Sequence, residues 1–100
     1  MEINNATEML AALSYEARLK IFRHLVKLGP SGASAGDIAK ACEITASTLS
    51  HHLNQMRSCG LIERHRKSRS LIYVANFEKM NTLIAFLSEE CCEGNPDLCR

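Results

Sequence analysis

No stretch of this 100-residue sequence comes near the roughly 18 consecutive apolar residues that a membrane helix requires. The opening MEINNATEML has no basic segment leading into an apolar one. A cytoplasmic protein with no membrane partner is therefore the expectation. The sequence also has no glycine-rich phosphate loop, no pair of carboxylates in an apolar setting and no Cys-His constellation with an oxyanion site, so an enzyme is not expected. Internal repeats, low-complexity tracts and long linkers are absent as well. With 46% apolar and 23% charged residues, a chain of this length holds one hydrophobic core and not two.

What is present is unevenly placed. Five cysteines in a chain without a secretion signal cannot all pair within one molecule, and a reducing compartment keeps most of them as thiols for metal or redox chemistry. Cys91, Cys92 and Cys99 crowd into the last ten residues. The net charge of +1 conceals a similar asymmetry. Arg57, Arg64, Arg66, Lys67 and Arg69 form a basic stretch opposed by Glu63, whereas Glu89, Glu90, Glu93 and Asp97 make the end of the chain acidic. Such a basic patch is the electrostatic footprint of a nucleic-acid binder.

Periodicity and capping signals divide the chain into five helices and two strands. The first helix is predicted to start at Asn5, with Glu8 completing a capping box and Ala6, Met9, Leu10 and Leu13 as its apolar stripe. Ser14 is the expected cap of a second helix, whose broad face carries Leu19, Phe22 and Val26 beside Ile21, Leu25 and Leu28. That helix stops at Gly29 and Pro30. A loop from Ser31 to Ser34 leads to a short third helix with Ile38, Ala39, Ala41 and Cys42, opened by a Ser34 and Asp37 capping box. Thr45 caps a fourth helix from Ala46 to Ser58, with Leu49, Leu53 and Met56 on one side. Two short helices across a tight turn suggest a helix-turn-helix. Gly60 ends the fourth helix. Leu61 and Ile62, then Leu71 to Val74, read as two strands around the basic tip Arg66 to Arg69, a wing. Asn76 caps a last helix with Met80, Leu83, Ile84 and Leu87 along one face. The fold expected is mainly α with a small β-hairpin, a winged helix-turn-helix. The apolar surfaces of its first and last helices suit a second copy of the chain.

The fourth helix is the candidate reader of DNA. Its polar side carries Ser47, His51, Asn54 and Ser58, with Ser50 and Gln55 at the edges and no carboxylate to repel phosphates. Ser47, Thr48 and Ser50 offer short hydroxyls near the helix start, and His51 and Asn54 reach base edges or phosphates. Arg66, Lys67 and Arg69 on the wing match phosphates or a minor groove. His52 turns toward the packed flank, where a structural hydrogen bond is the expectation.

The run TASTLSHHLNQMRSCGLIERHRKSRSLIYVA, from its Ser-Thr-Leu-Ser-x-His-Leu helix through Gly-Leu-Ile to Arg-Ser-x-x-Tyr, resembles the winged-helix repressors of the ArsR/SmtB family. AALSYEARLKIFRHL is similar to that family's stretch leading into the core helix, so the resemblance covers nearly the whole chain. It implies a homodimer that occupies operator DNA and leaves it when a metal or metalloid binds. Two of the family's sensing sites have no counterpart here. The Cys-x-Cys pair of the third helix is replaced by AKACEIT with Cys42 alone, and NFEKMNTLIAFLSEE supplies neither the Asp nor the His of the last-helix zinc site. Cys42 and Cys59 fall where the resemblance expects a core leucine and an alanine, places a buried thiol suits. CCEGNPDLC is similar to the tail of the arsenite-responsive members, which implies Cys91, Cys92 and Cys99 as ligands of As(III) or Sb(III).

The chemistry agrees with that implication. Trivalent arsenic and antimony are thiol-seeking centres saturated by three thiolates in a pyramid, whereas zinc prefers four tetrahedral ligands. A continuous helix would hold Cys92 and Cys99 about 10 Å apart along its axis, so the tail has to fold back, as Gly94 and Pro96 permit. The organisation expected is a DNA-binding and dimerisation domain over residues 1–90 and a metalloid-binding tail over 91–100. A repressor sensing oxidants or persulfides through the same cysteines stays open, as does a metalloid- or partner-binding protein without specific DNA binding.

Overall fold

The structure, a computed structural model, describes residues 1–95 and residue 97. Helix α1 (Ile3–Leu13) starts two residues before Asn5, with Glu2 ahead of it and no side-chain cap. Asn5 therefore lies inside the helix, and the expected Asn5 and Glu8 capping box does not form. The earlier start lets Met1 pack against the core, and a side-chain cap contributes only about 1 kcal/mol against it. Ala6, Met9 and Ala12 are the buried face, while Leu10 stays exposed.

Ser14 ends α1 instead of opening the next helix, its hydroxyl donating to the Ala11 carbonyl at 2.7 Å. Tyr15 takes the extended position before α2 (Glu16–Leu28) without a side-chain cap. The broad apolar face of α2 divides in two. Ile21, Phe22 and Leu25 enter the core together with Arg18, while Leu19 and Leu28 stay exposed and Val26 half-buried. Gly29, at φ 70°, ends α2 as expected and leads into a 3-10 turn, Gly29–Ser31.

What the sequence presents as loop at Ala33–Ser34 is a strand, β1, so the hairpin becomes a three-stranded sheet. Ala33 pairs with Tyr73 and Ser34 with Ile72, both antiparallel. Two residues are too few to show the period-2 pattern of a strand. Ser34 then caps α3 (Ala35–Cys42), its hydroxyl accepting from the Asp37 amide at 3.2 Å. Glu43, in the left-handed region at φ 55°, turns the chain into α4 (Ala46–Ser58). Leu49, Leu53 and Met56 of α4 are buried, as predicted, in one core with Met9, Ile21, Leu25 and Ile38.

Strands β2 (Ile62–Lys67) and β3 (Ser70–Ala75) pair in register from Ile62 opposite Ala75 to Lys67 opposite Ser70. The wing strands reach further than predicted, taking in Arg66 and Lys67 and leaving Ser68 and Arg69 as the turn. Asn76 caps α5 (Phe77–Leu87), accepting from the Lys79 amide at 3.0 Å. Leu83 faces the core, and Ile84 and Leu87 point into solvent. Among the described residues no helix is long and apolar enough to cross a membrane.

Candidate DNA-binding surface and thiol tail

The helix-turn-helix presents the outer face of α4. Ser47, Thr48, Ser50, His51 and Asn54 are all exposed. Thr45 precedes α4 with extended backbone, but its hydroxyl meets that of Thr48 at 3.0 Å and does not cap an amide. No acidic residue stands in the first turn, so the positive end of the helix dipole is left for an external anion. Arg66 and Lys67 at the end of β2 and Arg69 in the turn are exposed on a hairpin tip whose Ser68 sits at φ 57°.

Behind this face lies a linkage that periodicity alone does not reveal. Arg18 of α2 is 7% exposed and donates from Nε to Nδ1 of His52 on α4 at 3.0 Å. The Tyr15 ring stacks on its guanidinium at 4.2 Å. Burial lowers the His52 pKa from its ordinary 6.5, and the positive charge of Arg18 and then the neighbouring His51 push in the same direction. The ring is thus held neutral with its Nδ1 lone pair toward Arg18. The sequence predicts a structural hydrogen bond for His52 but does not give its partner, although Arg18 falls in register with Ile21, Phe22 and Leu25, a cation at a core position.

The cysteines separate into two groups. Cys42 is buried and Cys59 half-buried, and burial raises both thiol pKa values, which keeps them protonated and inert. Cys59 also donates to the Met56 carbonyl at 3.5 Å. Beyond α5 the chain reverses through Glu90, Cys92 and Glu93, all at positive φ, in a single turn over Cys91–Gly94. This turn brings the Cys91 and Cys92 sulfurs to 3.6 Å from each other. Cys99, the third expected ligand, lies outside the described residues. Among the described residues no cluster of three His, Cys, Asp or Glu side chains is arranged to hold a metal ion.

A helix-turn-helix domain family matches residues 13–65, which span α2 through most of β2. The chain is 36% identical over 87 residues to the HTH-type transcriptional regulator YgaV of Escherichia coli (strain K12), covering 87% of this chain and 86% of that protein. It is 33% identical over 93 residues to the arsenical resistance operon repressor of Bacillus subtilis (strain 168), covering 88% and 84%. The chain belongs to the ArsR/SmtB family of winged-helix regulators. An ArsR-like transcriptional regulator from Rhodococcus sp. RHA1 superposes on this ArsR/SmtB chain with a TM-score of 0.79 at 27% identity, over 96% of this chain and 88% of that one. ArsR/SmtB membership makes the protein a DNA-binding transcriptional regulator and not an enzyme.

Proposed function

We propose that the protein is a homodimeric repressor that leaves its operator when As(III) or Sb(III) is captured by the thiolates of Cys91, Cys92 and Cys99. Residues 1–90 bind DNA and dimerise, and residues 91–100 sense. The observation that carries this reading is the 3.6 Å approach of the Cys91 and Cys92 sulfurs one turn beyond α5. Sulfur ligands about 2.3 Å from a shared centre stand roughly 3.5–3.8 Å apart, so the spacing of this pair, once both are reduced, matches two ligands of one ion. The 33% identity to a protein named as an arsenical resistance operon repressor supports the same choice of inducer.

On the operator, α4 lies in the major groove with Ser47, Thr48, Ser50, His51 and Asn54 toward bases and phosphates, and Arg66, Lys67 and Arg69 grip the backbone from the wing. Closing the tail on a metalloid re-sets the end of α5 and with it the separation of the two recognition helices. A tenfold loss of affinity requires only about 1.4 kcal/mol of preference for the released state.

The test is fluorescence anisotropy of a labelled promoter fragment with reduced protein, titrated with arsenite. Wild type is expected to release, and Cys91→Ser/Cys92→Ser/Cys99→Ser to bind DNA normally and stay bound. Equal release of both proteins sinks the thiol site. Release of wild type by an oxidant in metal-free buffer, reversed by a thiol reductant and unmatched by arsenite, assigns the tail to redox sensing instead.

A further inference from the structure

A polar cavity of about 570 Å³ separates α4 from the junction of α1 and α2. Its walls include Ser14, Tyr15 and Arg18 on one side and His51, Gln55 and Ser58 on the other. Arg18 is the unusual member, a charged residue only 7% exposed. Of its five N–H donors, the one on Nε reaches His52, and no ion pair to Arg18 forms among the described residues. Among the described residues no fully buried side-chain nitrogen lacks a partner and only Nε of Arg18 has a hydrogen bond, so its terminal nitrogens keep some access to solvent, and Arg18 lines the cavity. A cation taken out of water without an ion-paired partner is costly, and an anion that reaches it directly lowers that penalty.

The surroundings select the anion. Tyr15, His51 and Gln55 add donors, and the planar fork of arginine fits phosphate oxygens better than a monodentate ligand. Glu8 is the one carboxylate in the lining. His51 belongs both to this wall and to the exposed face of α4, which places the cavity beside the surface that a duplex on α4 would cover.

We propose that the cavity is a phosphate site for the operator backbone, with the Arg18 terminal nitrogens on the phosphate oxygens and Tyr15 and His51 flanking them. The proposal rests on the reading of α4 as the DNA-contacting helix. It also gives the bond from Arg18 to His52 a function, since the cation that grips the strand is fixed to the helix that reads it.

The experiment measures operator affinity of the full chain across a salt series for wild type, Arg18→Gln and Glu8→Gln, with a thermal melt of each. Arg18→Gln is expected to weaken binding roughly tenfold and to reduce the slope of log K against log salt by about 0.9, the loss of one phosphate contact. Glu8→Gln is expected to tighten binding a few-fold, which keeps the proposal testable if Arg18→Gln does not fold. An unchanged slope in a folded Arg18→Gln, or unaltered affinity in Glu8→Gln, overturns it. So does a slope unchanged by Arg18→Gln while sodium sulfate raises the melting temperature of wild type alone, because the cavity then serves a free oxyanion. Wild type that binds no DNA specifically would overturn the assignment of α4 itself, a different failure from these.

Discussion

His52 accepts from Arg18 only while its Nδ1 is unprotonated, which makes one imidazole a pH-dependent tie between α2 and α4. Its pKa in the folded protein lies below the ordinary 6.5, so the unfolded chain binds the proton more readily. The stability contributed by neutral His52 is thus complete above about pH 6.5 and is lost as the pH falls toward the lowered folded value. Urea midpoints of wild type and His52→Gln, compared from neutral to mildly acidic pH, should converge on acidification. His24, His51 and His65 remain in both proteins, so parallel curves would remove His52 as the titrating tie. The sequence placed this histidine on the packed side of α4 correctly, because 3.6-residue periodicity fixes orientation. It could not show Arg18 as the partner, 34 positions away, since tertiary packing alone brings them together. The same limit applies to the thiols. The resemblance picked out Cys91 and Cys92, but their approach depends on left-handed backbone at Glu90, Cys92 and Glu93, which non-glycine residues rarely adopt and no local pattern announces.

At the scale of elements, helices with a side-chain cap or a long apolar stripe were legible and short irregular pieces were not. Ser34 and Asn76 cap α3 and α5 as the sequence suggests, and α4 spans Ala46–Ser58 as expected. Asn5 and Ser14 carry the same cap chemistry and fail, because packing of Met1 and the turn before Tyr15 decide where α1 begins and α2 starts. Strand β1 was invisible, and its anchor is Gly32. That residue sits at φ 60° with Tyr73 and Val74 of β3 where a side chain would stand. Gly29 has a similar φ of 70° and open space around the missing Cβ. Gly29→Ala should therefore lose about 1–3 kcal/mol from backbone strain alone. Gly32→Ala should lose about 1–3 kcal/mol more through overlap with the sheet. Equal losses in paired denaturant melts would mean that β1 gives way freely and does not clamp the base of the wing.

At the scale of the whole molecule, an apolar groove runs between the first, second and last helices. Leu13 of α1, Leu19, Phe22 and Val26 of α2, Leu61, and Met80, Leu83 and Ile84 of α5 line a groove of about 380 Å³. Ile84 in that lining is 56% exposed, and Leu87, one turn further along α5, 60%. Isolated apolar side chains on a surface are ordinary, but a groove continuous with two amphipathic helices is the signature of an interface. A two-fold contact there would join the first and last helices of one protomer to those of its partner and set the two copies of α4 against half-sites about 34 Å apart. Wild type should then sediment at twice the 11.1 kDa chain mass and melt at a temperature that rises with concentration. Ile84→Glu/Leu87→Glu places charge in the contact without touching α4 or the wing. It should give a folded monomer whose operator affinity drops by far more than tenfold, since each half-site is then held alone. A double variant that remains dimeric and binds DNA normally would move the interface elsewhere. The tail after α5 would then have no route to the spacing of the recognition helices, and metalloid release would need a contact between the tail and α4 itself.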